Sequence, residues 1–360
     1  MASGPRLPAT QRALRQGPDG RLRLVQDAPM PPLPPGFVLI KTTAVALNHV
    51  DYKLLNNFPL PGSFAGTDFA GVVVHVNQEE RDRVAGAAFL FADSHRLASG
   101  AFAEYVRAPA AVLLRLNSTS LTPLEASTLP TGVMTCILAF WAPDALALTG
   151  TPDEPQQQQP PPQVLVHGGS TTTGTFAVQL LKLSGYDPVA TCSAHNFDLV
   201  RRCGASAVFD AQSGALAAHI KQHTRGRLRY ALDCVSSNDG QSTAVCYGAI
   251  QRPGGRYASL NTVADGFLAQ RRAVKPHFVL AAEVVDAAVE LGHPDYDRPA
   301  SKQKHDLAVQ HATTIQRLLD QGRLRPHPVE ELQGGLDAVV AGLDRLENGR
   351  VSGVKLVARM

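Results

Sequence analysis

Apolar and polar positions alternate through much of the first third of the chain. GFVLIKTTAVALN (36–48), GTDFAGVVVHV (66–76) and GAFAEYVRAPA (100–110) have period-two or β-branched character between Pro/Gly turns and predict strands. QRALRQGPDGRLRLV (11–25) predicts a hairpin on a Pro-Asp-Gly turn. Together these spell a small β-rich domain. The pattern turns helical over TPLEASTLPTGVMTCILAFW (122–141), where Thr122 and Glu125 fit a capping box. GTPDEPQQQQPPPQ (150–163) is low in complexity and predicts a surface loop that does not pack.

Beyond that loop the period changes again. QVLVH, PVATCS, ASAVFDA, RYALDCV and GGRYASL read as short apolar strands. Between them TFAVQLLKLSG, NFDLVRRCG, GALAAHIKQHT and QSTAVCYGAI read as helices. Regular alternation of this kind predicts right-handed crossovers and a parallel sheet covered on both faces, an α/β doubly wound Rossmann arrangement. The tail is mixed, with helices over TTIQRLLDQGRL and GGLDAVVAGLDRLENG and a closing strand, GVKLVAR. No internal repeat is visible.

Composition narrows the function classes. At 360 residues the chain exceeds one ordinary core, so about two domains are expected. A net charge of +3 with scattered Lys and Arg gives no stripe for nucleic acid. No run of 18 uninterrupted apolar residues occurs, so no membrane span is expected. The arginine-containing start MASGPRLPATQRALRQ faintly matches a transit peptide, but the hairpin begins so early that the cytoplasm is favoured. Five cysteines without a CxxC pair fit reduced thiols.

The turn in VLVHGGSTTTGTFAVQLLKLSGY (164–186) poses the chemical question. A dinucleotide fingerprint uses glycines for the tight turn and for backbone approach to a pyrophosphate at a helix N-terminus. Here the frame is Gly169-Ser170-Thr171-Thr172-Thr173-Gly174, with Thr171 at the middle glycine. The four hydroxyls of Ser170, Thr171, Thr172 and Thr173 are expected to donate across the gap that a Cβ imposes. The second strand runs into Cys192, then Ser193-Ala194-His195-Asn196, with no acid to accept a ribose 2′-hydroxyl. Small polar groups and a histidine there suit a 2′-phosphate, and hence NADPH. Asn196 also suits a cap for the helix starting at Phe197, and the two roles are compatible.

With these motifs in hand, the chain resembles the medium-chain dehydrogenase/reductase family along nearly its whole length. VLVHGGSTTTGTFAVQLLKLSGY is similar to the quinone-reductase branch. SGYDPVATCSAHNFDLVRRCGASAVFD and LRYALDC resemble the fungal trans-acting enoyl reductases that serve highly reducing polyketide synthases, including synthase–peptide synthetase hybrids. The resemblance implies a GroES-like catalytic domain over 1–125 and 276–360 and a Rossmann NADPH-binding domain over 126–275. It implies reduction of the α,β-double bond of an enoyl thioester, held on an acyl carrier of a partner synthase.

Zinc members of the family have Cys where this chain has His49, and Gly-His-Glu at Gly66-Thr67-Asp68. No cysteine precedes Cys136, so a four-cysteine lobe is ruled out, and His49 with Asp68 falls short of a catalytic set. A metal-free conjugate reduction is therefore expected. By resemblance, Val50, Asp51, Tyr52 and Lys53 lie beside the nicotinamide, with His49 where the quinone reductases have proline. Lys53 is the candidate charge stabiliser or proton donor, Tyr52 the second choice, and a surface lysine the plain alternative.

Other positions follow from the resemblance alone. Leu260 and Asn261 are expected near the nicotinamide, and Val351 and Ser352 at a C-terminal cofactor contact. Gly132, Val133, Met134, Thr135, Cys136, Ile137, Leu138 and Ala139 are expected to line the substrate channel. Leu280, Ala281, Ala282, Glu283 and Val284 form a second expected wall. Ala211 departs from relatives that place a tyrosine near the adenosine phosphate. The expected partner is a highly reducing polyketide synthase, met transiently in trans by a monomer, with Arg271, Arg272 and Lys275 as candidate contacts for an acidic carrier domain. Two rivals remain at this level: a stand-alone quinone or enoyl-CoA reductase, and a non-catalytic relative.

Overall fold

The computed structural model describes residues 7–74, 82–92, 100–237 and 239–360. The first six residues, and His75 and Val76 of the strand expected over 66–76, lie outside the described residues. The expected N-terminal hairpin forms from β1 (Thr10–Gln16) and β2 (Leu22–Pro29), paired antiparallel. Gly20 turns it at φ +79°, a conformation that a side chain disfavours.

The β-rich part is a seven-stranded sheet. It contains β3 (Phe37–Ala46), β4 (Asp68–Val73), β5 (Arg83–Ala87), β6 (Tyr105–Pro109) and β7 (Leu114–Arg115), joined from the far end of the chain by β14 (Val329–Leu332) and β15 (Lys355–Arg359). β15 pairs antiparallel with β3, so the C-terminus is hydrogen-bonded beside the strand that leads to Asn48.

The second sheet is parallel and six-stranded: β8 (Gln163–His167), β9 (Asp187–Cys192), β10 (Ala207–Asp210), β11 (Tyr230–Asp233), β12 (Gly255–Ser259) and β13 (Val274–Phe278), in the order β10-β9-β8-β11-β12-β13. The crossovers carry α4 (Thr172–Leu183), α5 (Phe197–Cys203), α6 (Leu216–His223), α7 (Gln241–Ala249) and α8 (Asp265–Gln270). Strand order reverses between β8 and β11, which opens a crevice at the carboxyl ends of those two strands. β13 escaped the periodicity reading because Lys275, Pro276 and His277 break its apolar pattern.

The helical stretch expected over 122–141 is two helices, α2 (Pro123–Ala126) and α3 (Pro130–Trp141). Pro130 lacks the amide that would continue α2, so the chain restarts there. The capping box of Thr122 and Glu125 is present. By length and composition Pro123–Trp141 is apolar enough to cross a membrane, yet 89% of it is buried within this fold. α3 has almost no polar face, and a helix apolar all round belongs in a core; it packs on α4 and on α9 (Lys302–Asp320). α9 starts at the cap Ser301, well before the helix expected from 313.

The glutamine-rich loop is exposed at its tip but anchored at its base. Gln156 donates its amide to Ser184 C=O, and Asp153 accepts from Thr314 and Arg317 on α9.

Candidate functional site

A cleft of about 680 Å³ opens at the strand-order reversal, lined by residues from both sheets. Its phosphate-side wall is the turn after β8. Gly168 takes φ +83° to leave the strand, and a Cβ on Gly174 would come within 2.2 Å of Gly168 C=O, so only glycine lets α4 pack this close. Thr171 is the N-cap: its hydroxyl accepts from the Gly174 amide at 3.0 Å and donates to Gly168 C=O at 2.9 Å. That hydroxyl is therefore committed to the helix, at a worth of about 1 kcal/mol, and does not reach across the gap as expected. Ser170, Thr172 and Thr173 line the cleft with hydroxyls that have no partner among the described residues, beside first-turn amides that have no intrahelical acceptor. This wall fits a pyrophosphate.

Ser193, Ala194, His195 and Asn196 lie outside the cleft lining, at the end of β9. They are tied to the far C-terminus. His195 Nε2 lies 2.9 Å from Ser352 Oγ, and Asn196 Nδ2 donates to the same oxygen at 2.9 Å. Asn196 is the N-cap of α5 by position, but its side chain makes no cap bond and serves Ser352 instead. No carboxylate stands in this segment; Asp210, opposite Cys192 in the ladder, accepts the Gln212 amide. Val351 and Ser352 line the cleft, so the C-terminal strap bridges the end of β9 and the cleft.

The opposite wall is α1 (His49–Asn57), which presents Val50, Asp51, Tyr52 and Lys53 to the cleft. Asp51 closes the capping box, accepting the Asn48 amide at 2.7 Å and the Thr67 hydroxyl at 2.5 Å. Burial pushes its carboxyl up to about 7, against those hydrogen bonds. Lys53 is half-buried, and desolvation pulls its ammonium below the usual lysine value. Among the described residues it has no hydrogen-bond or ion-pair partner. Desolvation in the cleft, with Lys53 and Lys355 adding positive charge, pushes His49 down to about 4, so it is neutral at pH 7.

Beneath α1 lies a buried polar cluster that periodicity and motifs did not reveal. Lys355 Nζ, in a side chain 2% exposed, contacts Asp68 Oδ2 and Asn48 Oδ1, each at 2.7 Å. Asn48 Nδ2 donates to Asp68 at 2.9 Å, and Thr131 donates to it through its amide and hydroxyl. The faint signal was a lysine inside an otherwise apolar strand, which demands a buried partner. Asp68 is thus spent on an ammonium, and Thr67 on Asp51. Among the described residues no group of three His, Cys, Asp or Glu side chains is placed to hold a metal ion.

The nicotinamide-side expectations fall together. Leu260 and Asn261 follow β12 and line the cleft with Cys234 and Val235, which follow β11. Asn261 Oδ1 accepts from the Thr262 amide and from the Tyr296 hydroxyl at 2.8 Å.

The substrate walls need correction. On α3 only Thr131 and Thr135 touch the cleft. Gly132, Val133, Met134, Cys136, Ile137, Leu138 and Ala139 are buried in the core behind it, with Gly132 held against the Phe176 ring. Leu280, Ala281 and Ala282 do line the cleft; Glu283 and Val284 do not. Glu283 is buried and pairs with Lys304 at 2.7 Å, and Val284 is fully buried in the core. Arg271 is also unavailable for docking, because its guanidinium binds Tyr247, Ile250 and Gln251 carbonyls at the end of α7. Arg272 and Lys275 remain exposed.

Comparison with known proteins fits this geometry. Residues 34–118 match the family described as alcohol dehydrogenase GroES-like domain, and residues 172–269 match zinc-binding dehydrogenase. The chain is 54% identical to trans-enoyl reductase TwmE of Talaromyces wortmannii, covering 95% of this chain and 96% of that one. It is 40% identical to trans-enoyl reductase mpsG of Macrophomina phaseolina, covering 98% of both. Among solved structures, JamJ enoyl reductase shares the fold with a TM-score of 0.70 at 17% identity, over 98% of this chain and all of that one.

Proposed function

The chain belongs to the trans-enoyl reductases of the medium-chain dehydrogenase/reductase family, and on that premise we propose that it uses NADPH to reduce enoyl thioesters carried by a partner polyketide synthase. The carrying observation is the uncommitted, half-buried Lys53 ammonium in the same cleft as the α4 N-terminal turn. When bound, the nicotinamide supplies the hydride that reaches the β-carbon. The chain's own part is electrostatic: Lys53 places positive charge, and an N–H donor, where negative charge builds on the thioester oxygen. Ser170, Thr172, Thr173 and the first-turn amides of α4 hold the pyrophosphate. Val351 and Ser352 on the C-terminal strap would help to hold the same cofactor. Lys53 and Tyr52 are the proposed proton sources for the α-carbon. The five free cysteines fit a reducing cytoplasm.

NADPH is favoured because the segment Ser193–Asn196 offers the Ser193 hydroxyl and the exposed His195 imidazole and carries no carboxylate. One to two charge-assisted hydrogen bonds to a 2′-phosphate make NADPH binding tighter than NADH binding by about tenfold or more. Fluorescence titration checks this, and equal or reversed affinities would sink it. The function itself is tested by reconstitution with the cognate synthase. Adding this protein should replace an unreduced, more conjugated product with a chain saturated at defined steps. An unchanged product, alongside efficient reduction of free enoyl-CoA or quinone, would favour a stand-alone reductase.

A monomer is proposed on the chemistry of the edge strand. Gly255 donates to Ala273 C=O and Val279 to Ser259 C=O, so alternate residues 273, 275, 277 and 279 turn toward β12. Pro276 therefore faces outward, where it removes the amide another strand would need, beside exposed Lys275. Sedimentation should give a monomer; a stable wild-type dimer joined through β13 would overturn this.

A further inference from the structure

One further wall of the cleft comes from the chain between 285 and 301. Between the segment ending at Val284 and the start of α9, the chain folds back on itself. Val289 and Arg298 exchange both backbone hydrogen bonds at 2.9 Å, and Asp297 caps the turn by accepting the Leu291 and Gly292 amides. The loop is therefore a built hairpin with its own closure. Its inner face gives the cleft Val289, Leu291 and Tyr296.

These side chains join an apolar patch. The Tyr296 ring packs edge-on against Phe278 at 5.2 Å and Phe58 at 5.0 Å, and Phe58 ends the helix that carries Lys53. Arg298 covers the outer side of Phe278, 5.4 Å from its ring centre. Most polar groups of the cleft lie on α1, the α4 turn, the C-terminal strap and around Lys355, and few lie on the hairpin wall. An acyl chain whose thioester meets Lys53 must lay its apolar tail on the other surface, since burying it there removes apolar area from water.

We propose that the 289–298 hairpin sets which acyl chains the enzyme reduces: Leu291 is the length-setting side chain, and Tyr296 is the positioning residue that ties the hairpin to Asn261. The hydroxyl of Tyr296, donating to Asn261 Oδ1 at 2.8 Å, couples the seating of the tail to the asparagine expected beside the nicotinamide. This role rests on the enoyl-reductase reading. Leu291 is only partly buried and sits on a loop at the margin of the core it packs against, so replacing it removes no fully buried side chain.

The experiment measures kcat and KM of the full chain with NADPH on a series of enoyl pantetheine thioesters running from crotonyl to decenoyl. Leu291→Phe is expected to lower kcat/KM for the longest chain by about tenfold while leaving crotonyl nearly unchanged, and Leu291→Ala to shift preference toward longer chains. Tyr296→Phe keeps the ring and removes the coupling, so kcat should fall several-fold for the long chains and least for crotonyl, with the melting temperature retained. Equal losses at all lengths in both Leu291 variants, or a Tyr296→Phe enzyme with wild-type kcat, would overturn the hairpin's role. A wild-type enzyme inactive on every thioester would instead overturn the enoyl-reductase reading and the hairpin's role with it.

Discussion

Lys53→Ala is expected to lower turnover by about 10²- to 10³-fold, the usual cost of removing one donor aimed at a developing oxyanion, while NADPH affinity changes little. The asymmetry follows from the surroundings of Lys53. Its ammonium has no hydrogen-bond or ion-pair partner among the described residues, so no such resting bond is lost with it. An interaction made mainly in the transition state lowers kcat and kcat/KM together. The pH profile gives an independent check. Desolvation lowers the Lys53 pKa, so kcat should fall on the alkaline side at a pH below that of an ordinary lysine. His49, at about 4, and Asp51, at about 7, have finished titrating before that limb. Burial raises Tyr52, so its proton leaves later than an ordinary tyrosine's. Lys53→Arg keeps the charge and should remove the limb. Loss confined to NADPH affinity would make Lys53 a cofactor-positioning residue, and wild-type kinetics would leave it a surface lysine.

What could be read in the chain followed the strength of local physics. The central strands β8, β9 and β11 are short apolar runs that are almost wholly buried, and their regular spacing by helices dictates the crossovers. The glycines at 169 and 174 were legible because the turn leaves no room for a side chain: a Cβ on Gly174 would meet the Gly168 backbone, and one on Gly169 the Ala190 side chain. Failures came where one pattern serves two environments. An all-apolar helix serves equally as channel wall or core, and α3 is core; the better clue was its polar pair Thr131 and Thr135, one turn apart and facing the cleft. Arg271 reads as a surface cation in sequence, yet its fork fits the free carbonyls ending α7. The Asp68–Lys355 pair joins residues 287 positions apart, a contact that no local period encodes.

That pair carries the largest expected stability effect. Lys355→Met should cost about 3–5 kcal/mol, because it leaves Asp68 as a buried carboxylate without its cation. Asp68 is fully buried; its remaining donors, Asn48 and Thr131, are neutral and stand in for the lost ammonium only in part. Asp68→Leu should be at least as costly, since Lys355 then keeps only Asn48 Oδ1 as a partner. The double variant Lys355→Met/Asp68→Leu removes both charges and should recover much of the loss, because well-packed apolar replacements of a buried ion pair are often neutral. Guanidinium unfolding of the three variants measures the coupling. Activity should separate from stability in the double variant. Asn48 bonds Lys355 and Asp68 while its backbone begins the helix carrying Lys53, so relieving the charge restores the fold without restoring the anchor beneath α1. Turnover should therefore stay depressed in a refolded double variant, with the deficit in kcat rather than in NADPH affinity. A Lys355→Met protein as stable as wild type would mean that Asp68 is neutralised by some other route.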